Sequence, residues 1–369
     1  MASASIIDEL QALAEANGLD RIGVCGAEVF ETTRAVLHDR RQAGLHADMQ
    51  FTYRNPDRAT DPERALPGAK SIVVGARSYR RAEPPQPAAT TGSARVGEYV
   101  WEAHYVELRR GLDAISQRLR DAGHRTRVLV DDNALVDRAA AHRAGIGWWG
   151  KNSNLLIPER GSRFVLGSVV TDADLAPSPG PIPDACGPCT RCIDNCPTGA
   201  IVDDGVIDAR RCLAWLVQAK GTFPREYRTA LGNRIYGCDD CQSTCPPNLL
   251  HDRKEPAPPT DGAAWASVQE LLELEDDTLL ERFGVWYIPG REPRYLRRNA
   301  LVVLGNVAQA DAPETRVLLE RWTASGDPIE QAHALWAAEQ LGHTDLVDAA
   351  DTADPDVLAE VNALIGARQ

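Results

Sequence analysis

Eight of the nine cysteines fall between residues 186 and 245, and their spacing constrains this chain more than any other feature. One run reads Cys186-x2-Cys189-x2-Cys192-x3-Cys196-Pro197. A second reads Cys238-x2-Cys241-x3-Cys245-Pro246, and Cys212 stands alone between them. A C-x2-C-x2-C-x3-C-P run is the bacterial ferredoxin spacing, in which the fourth cysteine ligates the other cluster. A tight loop can aim three thiolates at one cluster, and the proline then turns the chain away. By that crossing rule Cys186, Cys189, Cys192 and Cys245 hold one 4Fe–4S cluster. Cys196, Cys212, Cys238 and Cys241 hold the other, and no ligand is left over. A chain built this way is expected to move electrons.

Two other uses of paired cysteines fit less well. Zinc sites often recruit histidine, and neither run contains one. Disulfides belong to exported chains, and Met1–Glu15 has neither a basic start nor an apolar core of a signal peptide. The ninth cysteine, in Arg-Ile-Gly-Val-Cys25-Gly, sits in an apolar strand-like run and is expected to be a packed core thiol. No apolar stretch approaches the roughly 20 residues that span a bilayer. The chain is therefore expected to be cytoplasmic and free of the membrane. Its 40 Lys+Arg against 53 Asp+Glu give a net charge of −13, which argues against coating nucleic acid indiscriminately. A local basic face that docks a structured RNA is still compatible with that balance.

At 369 residues the chain is long enough for two or three domains. Residues 1–175 read as an α/β domain: helices over 6–17, 105–122 and 134–144, and strands over 21–25, 71–76, 126–130 and 164–170. Alternating elements suggest an open α/β sandwich. The Pro/Ala/Thr-rich stretch 80–97 is expected to be a mobile surface loop. Residues 185–250 form the ferredoxin-like double 4Fe–4S module, set between Pro-rich linkers, and 263–369 a helical tail. In that tail Ala300, Leu304 and Gly305 recur as Ala337, Leu341 and Gly342. Small residues with a helix-ending glycine suggest stacked helix pairs of the HEAT type.

The stretch from Val130 to Asn152 concentrates chemistry. Gly145, Gly147 and Gly150 free the backbone for close approach to a large ligand. The spacing is neither a dinucleotide fingerprint nor a Walker loop. Asp131 lies at the end of a strand, where open α/β sheets place ligands and where an acid could donate a proton. The pattern equally allows Asp131, Asp132 or Asn133 simply to cap the next helix.

Longer strings carry a resemblance. These are Leu66-Pro67-Gly68-Ala69-Lys70-Ser71, Ala144-Gly145-Ile146-Gly147-Trp148-Trp149-Gly150-Lys151-Asn152, Gly161-Ser162 and Tyr236-Gly237-Cys238-Asp239-Asp240-Cys241-Gln242. Arg298-Asn299-Ala300 and Leu304-Gly305-Asn306 extend the match into the tail. With the cysteine module, the chain resembles the epoxyqueuosine reductase family over nearly its whole length. The resemblance implies cobalamin plus two 4Fe–4S clusters, and reduction of epoxyqueuosine to queuosine at the wobble position of tRNA. It implies Asp131 as general acid, and a corrin pocket involving Arg58, Asp131, Asn152, Ser153, Leu155, Leu166 and Asp239, several through backbone groups. The chain has no D-x-H-x-x-G segment, so no cobalt-binding histidine of that kind is expected. One departure is the string Ala103-His104-Tyr105, where many members carry Asp-Tyr-His; no role is assigned to His104.

Basic residues gather at Arg210, Arg211, Lys220, Arg225, Arg228 and Arg234, and again at Arg291, Arg294, Arg297 and Arg298. Such clusters suggest a phosphate-binding face. The resemblance places Gln218 and Lys220 where the family meets RNA, and Arg297 and Arg298 are expected to hold tRNA phosphates. The partners implied are tRNA with a queuosine-precursor base and an unidentified electron donor, with the chain acting as a monomer. Two other functions are consistent with clusters alone: a reductive dehalogenase-like cobalamin enzyme, or a plain ferredoxin carrier. The first usually has a twin-Arg export signal, and the second leaves the first 175 residues without a task.

Overall fold

The computed structural model describes residues 6–260, 262–350 and 353–368. The chain divides into two compact units. One comprises Met1–Ala82, Glu102–Arg210 and Asp240–Thr260; the other comprises Glu83–Trp101, Arg211–Asp239 and Asp261–Gln369. The units cut across the three consecutive segments expected from sequence. The reason is a small sheet in which Ser93–Val96 pairs in parallel with Arg234–Tyr236 and antiparallel with Trp265–Ser267. That pairing draws three distant stretches into one unit.

The first unit is built on a four-stranded sheet of β1 (Arg21–Gly26), β2 (Ser71–Ser78), β3 (Thr126–Val130) and β4 (Phe164–Thr171), in the order β1-β2-β4-β3. Every pairing is antiparallel. Helix α1 (Ile6–Ala16) packs on α2 (His104–Asp121), and α2 lies across β2, β3 and β4. Helix α3 (Asp137–Arg143) packs on β1, β2 and β4. Strand alternation sets one face: Ile72, Val74 and Ala76 join Leu129, Ala139, Ala140 and Val170 in one apolar core. On the α2 side Gly75 pairs directly with Gly167, and a Cβ on either would come within 3 Å of the Leu112 side chain. The two glycines make the slot that α2 fills.

Sequence placed most of these elements to within a few residues. It missed the helix Glu31–Gln42, and α3 starts three residues later than expected. The cause of the late start is local. Asp132 Oδ1 accepts the Ala134 N–H at 2.8 Å, closing a turn, and α3 begins after Val136 with no side-chain cap. Within the cysteine region the first unit holds a short helix Arg191–Asp194, a hairpin of Ile201–Asp203 with Val206–Ile207, and helices Asp240–Ser243 and Pro246–Lys254.

The second unit is mostly helical: α4 (Pro293–Val307), α5 (Pro313–Thr323), α6 (Pro328–Gln340), α7 (Thr344–Asp348) and α8 (Pro355–Gly366). Helix α4 packs on α6 and α6 on α8, while α5 and α7 lie against α6. Gly305 does not end its helix, as the repeat suggested. It sits inside α4, where a Cβ would fall 2.9 Å from the Ala337 Cα of α6, so it marks the helix crossing. Gly342, at φ +80°, does follow the end of α6. The stretch expected to be a mobile loop carries buried structure instead. Ser93, Ala94 and Val96 are buried, and the Thr90 carbonyl accepts the Gln309 N–H at 2.8 Å. Among the described residues no helix is long and apolar enough to cross a membrane.

Candidate active site and nucleic-acid interface

Cys186, Cys189, Cys192 and Cys245, the first expected quartet, all lie within the first unit. Cys192 and Cys245 are buried. Burial pushes the Cys245 thiol up to about 12, and the like charges of Cys192, Cys186 and Cys189 add to that push. The Cys245 sulfur therefore lies within electrostatic reach of the other three. Trp148, Leu156 and Ile182 form apolar walls around Cys245 and Cys186. Among the described residues no three His, Cys, Asp or Glu side chains converge as ligands of a single metal ion. Of the second quartet, Cys196 and Cys241 belong to the first unit, and Cys212 and Cys238 to the second. The Cys196 Sγ accepts the Ala200 N–H at 3.2 Å, and Cys212 precedes the short helix Leu213–Leu216. Cys25 is buried in the sheet core, its thiol pushed up to about 12 by burial, which suits a packing role.

Asp131 follows the last residue of β3 with φ at +49°, a region that Asp tolerates better than most residues. Its side chain is reachable by solvent, yet desolvation by the surrounding chain raises its carboxyl above the ordinary value, and the neighbouring Asp132 charge raises it further. Sequence reasoning missed a second acid, Asp137. Burial holds its carboxyl well above the ordinary value, with the Asp131 charge adding to the effect. Its only sequence signal is an acid opening an alanine-rich helix. A cleft of about 410 Å³ lies beside this turn, lined by Phe51, Arg54, Asn55, Arg58 and Asn133. Arg58 is thus on the cleft wall, and Asn55 secures it by accepting the Arg58 N–H at 3.0 Å. His104 is buried and held neutral, its imidazole lowered to about 4 by burial.

The Gly150–Asn154 turn is held from two sides. Asn152 donates to the Cys241 carbonyl at 3.1 Å, and Ser153, at φ +60°, donates to the Gly205 carbonyl at 2.6 Å. Lys151 pairs with Asp204 at 3.1 Å. The glycine-rich turn is therefore docked on the hairpin of the cysteine region. Leu155 pairs across a two-residue ladder with Trp149, and Leu166 lies in β4; both are buried. Asp239 lies in the second unit, and its carboxylate accepts the Glu98 N–H at 2.9 Å. The side chains of Asn152 and Asp239 are thus engaged by the fold itself.

The expected phosphate contacts at Arg297 and Arg298 are not available. Arg298 is 0% exposed and donates to the carbonyls of Ala219 and Gly221 at 2.7 Å, Leu216 at 3.1 Å and Val217 at 3.4 Å. Burial lowers its guanidinium to about 9, so it is still a cation at neutral pH. Arg297 is 9% exposed, bonds the Leu274 carbonyl at 2.9 Å and pairs with Asp276 at 2.6 Å. Other members of the basic clusters are also spent internally. Arg228 and Arg225 pair with Glu360, Arg210 with Asp208, and Arg294 with Glu292 and Asp327. Consecutive arginines on a helix look alike in sequence whether they face solvent or a neighbouring carbonyl. Lys220 is exposed, and Gln218 is half-buried with its amide on the Ala214 carbonyl at 3.0 Å.

A ferredoxin-spaced cysteine module, in a chain that also holds a protonatable acid two residues from a cleft-lining asparagine, defines a class, an iron–sulfur oxidoreductase. Residues 185–248 match the model of a 4Fe–4S double cluster binding domain, and residues 59–132 match that of epoxyqueuosine reductase QueG. The epoxyqueuosine reductase of Bacillus cereus is 34% identical over 362 residues, covering 94% of this chain and 93% of that protein. That of Bacillus subtilis is 35% identical over 346 residues, covering 91% and 87%. The chain belongs to the epoxyqueuosine reductase family. Among solved structures, an epoxyqueuosine reductase with an epoxyqueuosine-modified tRNA-Tyr stem loop aligns at TM-score 0.86 and 32% identity, covering 98% of both chains. A Bacillus subtilis structure with its catalytic aspartate loop swung out of the active site aligns at TM-score 0.83 and 31% identity, again over 98% of both.

Proposed function

We propose that this chain reduces epoxyqueuosine to queuosine at the wobble position of tRNA. The observation that carries the reading is Asp131, an acid with a raised pKa beside the cleft, in a chain of this family. Removing the epoxide oxygen takes two electrons and two protons, breaks both C–O bonds, and leaves a C=C bond and water. Asp131 is assigned the proton given to the epoxide oxygen as its bond to carbon breaks. Desolvation by the surrounding chain and the Asp132 charge keep its carboxyl protonated to higher pH than an ordinary aspartate, which suits a general acid. A catalytic aspartate on a loop in the Bacillus subtilis relative supports the choice.

The residues present suit the implied cofactors. Cys186, Cys189, Cys192 and Cys245 would hold one 4Fe–4S cluster, and Cys196, Cys212, Cys238 and Cys241 the other. Arg54, Arg58, Asn55 and Asn133 give the cleft a polar wall fit for the amide-bearing rim of cobalamin. Arg58 would bind through its side chain, with Ser153, Leu155 and Leu166 from the same unit. Asn152 and Asp239 would bind through their backbones, because their side chains are engaged. Cobalamin, when bound, supplies a reduced cobalt able to react at the epoxide carbon, and the clusters supply its electrons singly. The protein's share is placement, proton donation and exclusion of water. The substrate puts the reaction in the cytoplasm, with an external electron donor and the chain acting as a monomer. Gln218 and Lys220 are assigned to tRNA, and the stacked helices α4–α8 are read as HEAT-like repeats.

Nucleoside analysis of tRNA tests this reading, in a strain that accumulates epoxyqueuosine for lack of its own reductase. Expression of the chain should convert epoxyqueuosine to queuosine, and Asp131→Asn should not. Epoxyqueuosine that persists despite folded, cluster-loaded protein would overturn it.

A further inference from the structure

Four of the six carbonyls from Leu216 to Gly221 converge on one guanidinium, that of Arg298. Its neighbour Asn299 donates to the Val217 carbonyl at 2.8 Å and to that of Ile235 at 3.4 Å. The Asn299 Oδ1 in turn accepts from Arg298 Nη2 at 2.9 Å. The rings of Tyr295 and Phe223 stand 5.5 and 5.8 Å from the Arg298 guanidinium carbon. No carboxylate is among these partners. A buried guanidinium without a carboxylate partner is costly unless its donors are satisfied, and here one backbone turn and the Asn299 amide oxygen satisfy them. The turn gains a fixed shape in exchange. Gly221 completes it at φ +79°, in open space where an added Cβ would meet nothing within 4 Å.

The two residues whose carbonyls are not drawn to Arg298 are Gln218 and Lys220. We infer that Arg298 and Asn299 are positioning residues that shape the Val217–Gly221 turn and so present Gln218 and Lys220 to tRNA. The inference rests on the proposed tRNA reductase function. It replaces the direct phosphate contact expected of Arg298 with an indirect one. The fork is essential, because an ammonium offers a point charge with three donors and cannot reach four carbonyls in the same geometry.

The test uses the holoenzyme and an epoxyqueuosine-modified tRNA stem loop. Arg298→Lys keeps the charge but loses the fork. Gly221→Ala strains the turn without entering the core, so its melting temperature should fall only modestly, and its iron content should match wild type. Both variants should raise KM for the stem loop by about three- to tenfold with little change in kcat, the pattern expected when uniform binding is lost. In a Gln218→Ala/Lys220→Ala background, Arg298→Lys should add little further loss, because the groups it positions are gone. Wild-type KM in both Arg298→Lys and Gly221→Ala overturns the inference. So does an undiminished Arg298→Lys effect in the Gln218→Ala/Lys220→Ala background. A wild-type protein that neither binds nor reduces the stem loop overturns the functional reading, and this inference with it.

Discussion

Asp131, Asp132 and Asp137 are three carboxyls within seven residues, and their surroundings give them different work. Asp131 stands beside the cleft with a raised pKa, so the account needs it protonated. Its rate should fall as pH rises through that pKa. Asp131→Asn should lose about 10²- to 10⁴-fold in turnover, the usual worth of a general acid, and lose the pH limb with it. Asp132→Asn should be mild, since an amide oxygen can still accept the Ala134 N–H. Equal losses in the two variants, measured by single-turnover kinetics, would remove the proton-donor role. Asp137 carries a stability effect. Its folded pKa lies well above its unfolded value, so between the two the folded state holds more protons. Stability therefore falls as pH rises through that window. Asp137→Asn should flatten the dependence and melt higher than wild type at neutral pH. Parallel melting curves for the two proteins from acid to neutral pH would contradict this.

At the scale of elements, legibility followed sequence distance. The strands β1 to β4 were readable because each is a short apolar run with clear ends. The strand Ser93–Val96 was not, because its partners lie more than a hundred residues away and its Pro-rich approach resembles a linker. The cysteine spacing was readable because a cluster demands fixed ligand intervals. The fate of Arg297 and Arg298 was not, because it depends on which carbonyls fold back toward α4. Gly305 shows the same limit, being read as a helix end when it is a helix crossing. Two substitutions test the packing. Gly75→Ala meets the flexible end of Leu112, whereas Gly305→Ala meets the Trp336 ring and the Ala337 backbone. Overpacking typically costs about 1–3 kcal/mol, and the backbone contact should put Gly305→Ala at the upper end. Chemical denaturation should rank Gly305→Ala as the less stable; the reverse order would mean that α4 and α6 can separate without cost.

At the scale of the whole molecule, the Gly150–Asn154 turn is docked on the cysteine region that the proposed function loads with clusters. Anaerobically purified protein should carry about eight irons and eight sulfides per chain, as two 4Fe–4S clusters require. Cys25→Ser should keep all of them, while Cys212→Ser should lose one cluster. Full iron in Cys212→Ser would refute the ligand assignment. The most direct measurement of the central claim is a single turnover by reduced, cofactor-loaded protein on an epoxyqueuosine-modified tRNA stem loop, with wild type and Asp131→Asn side by side. The account predicts queuosine from the wild type and almost none from Asp131→Asn, with equal iron in both. No queuosine from the loaded wild type, or equal yields from the two proteins, would contradict it.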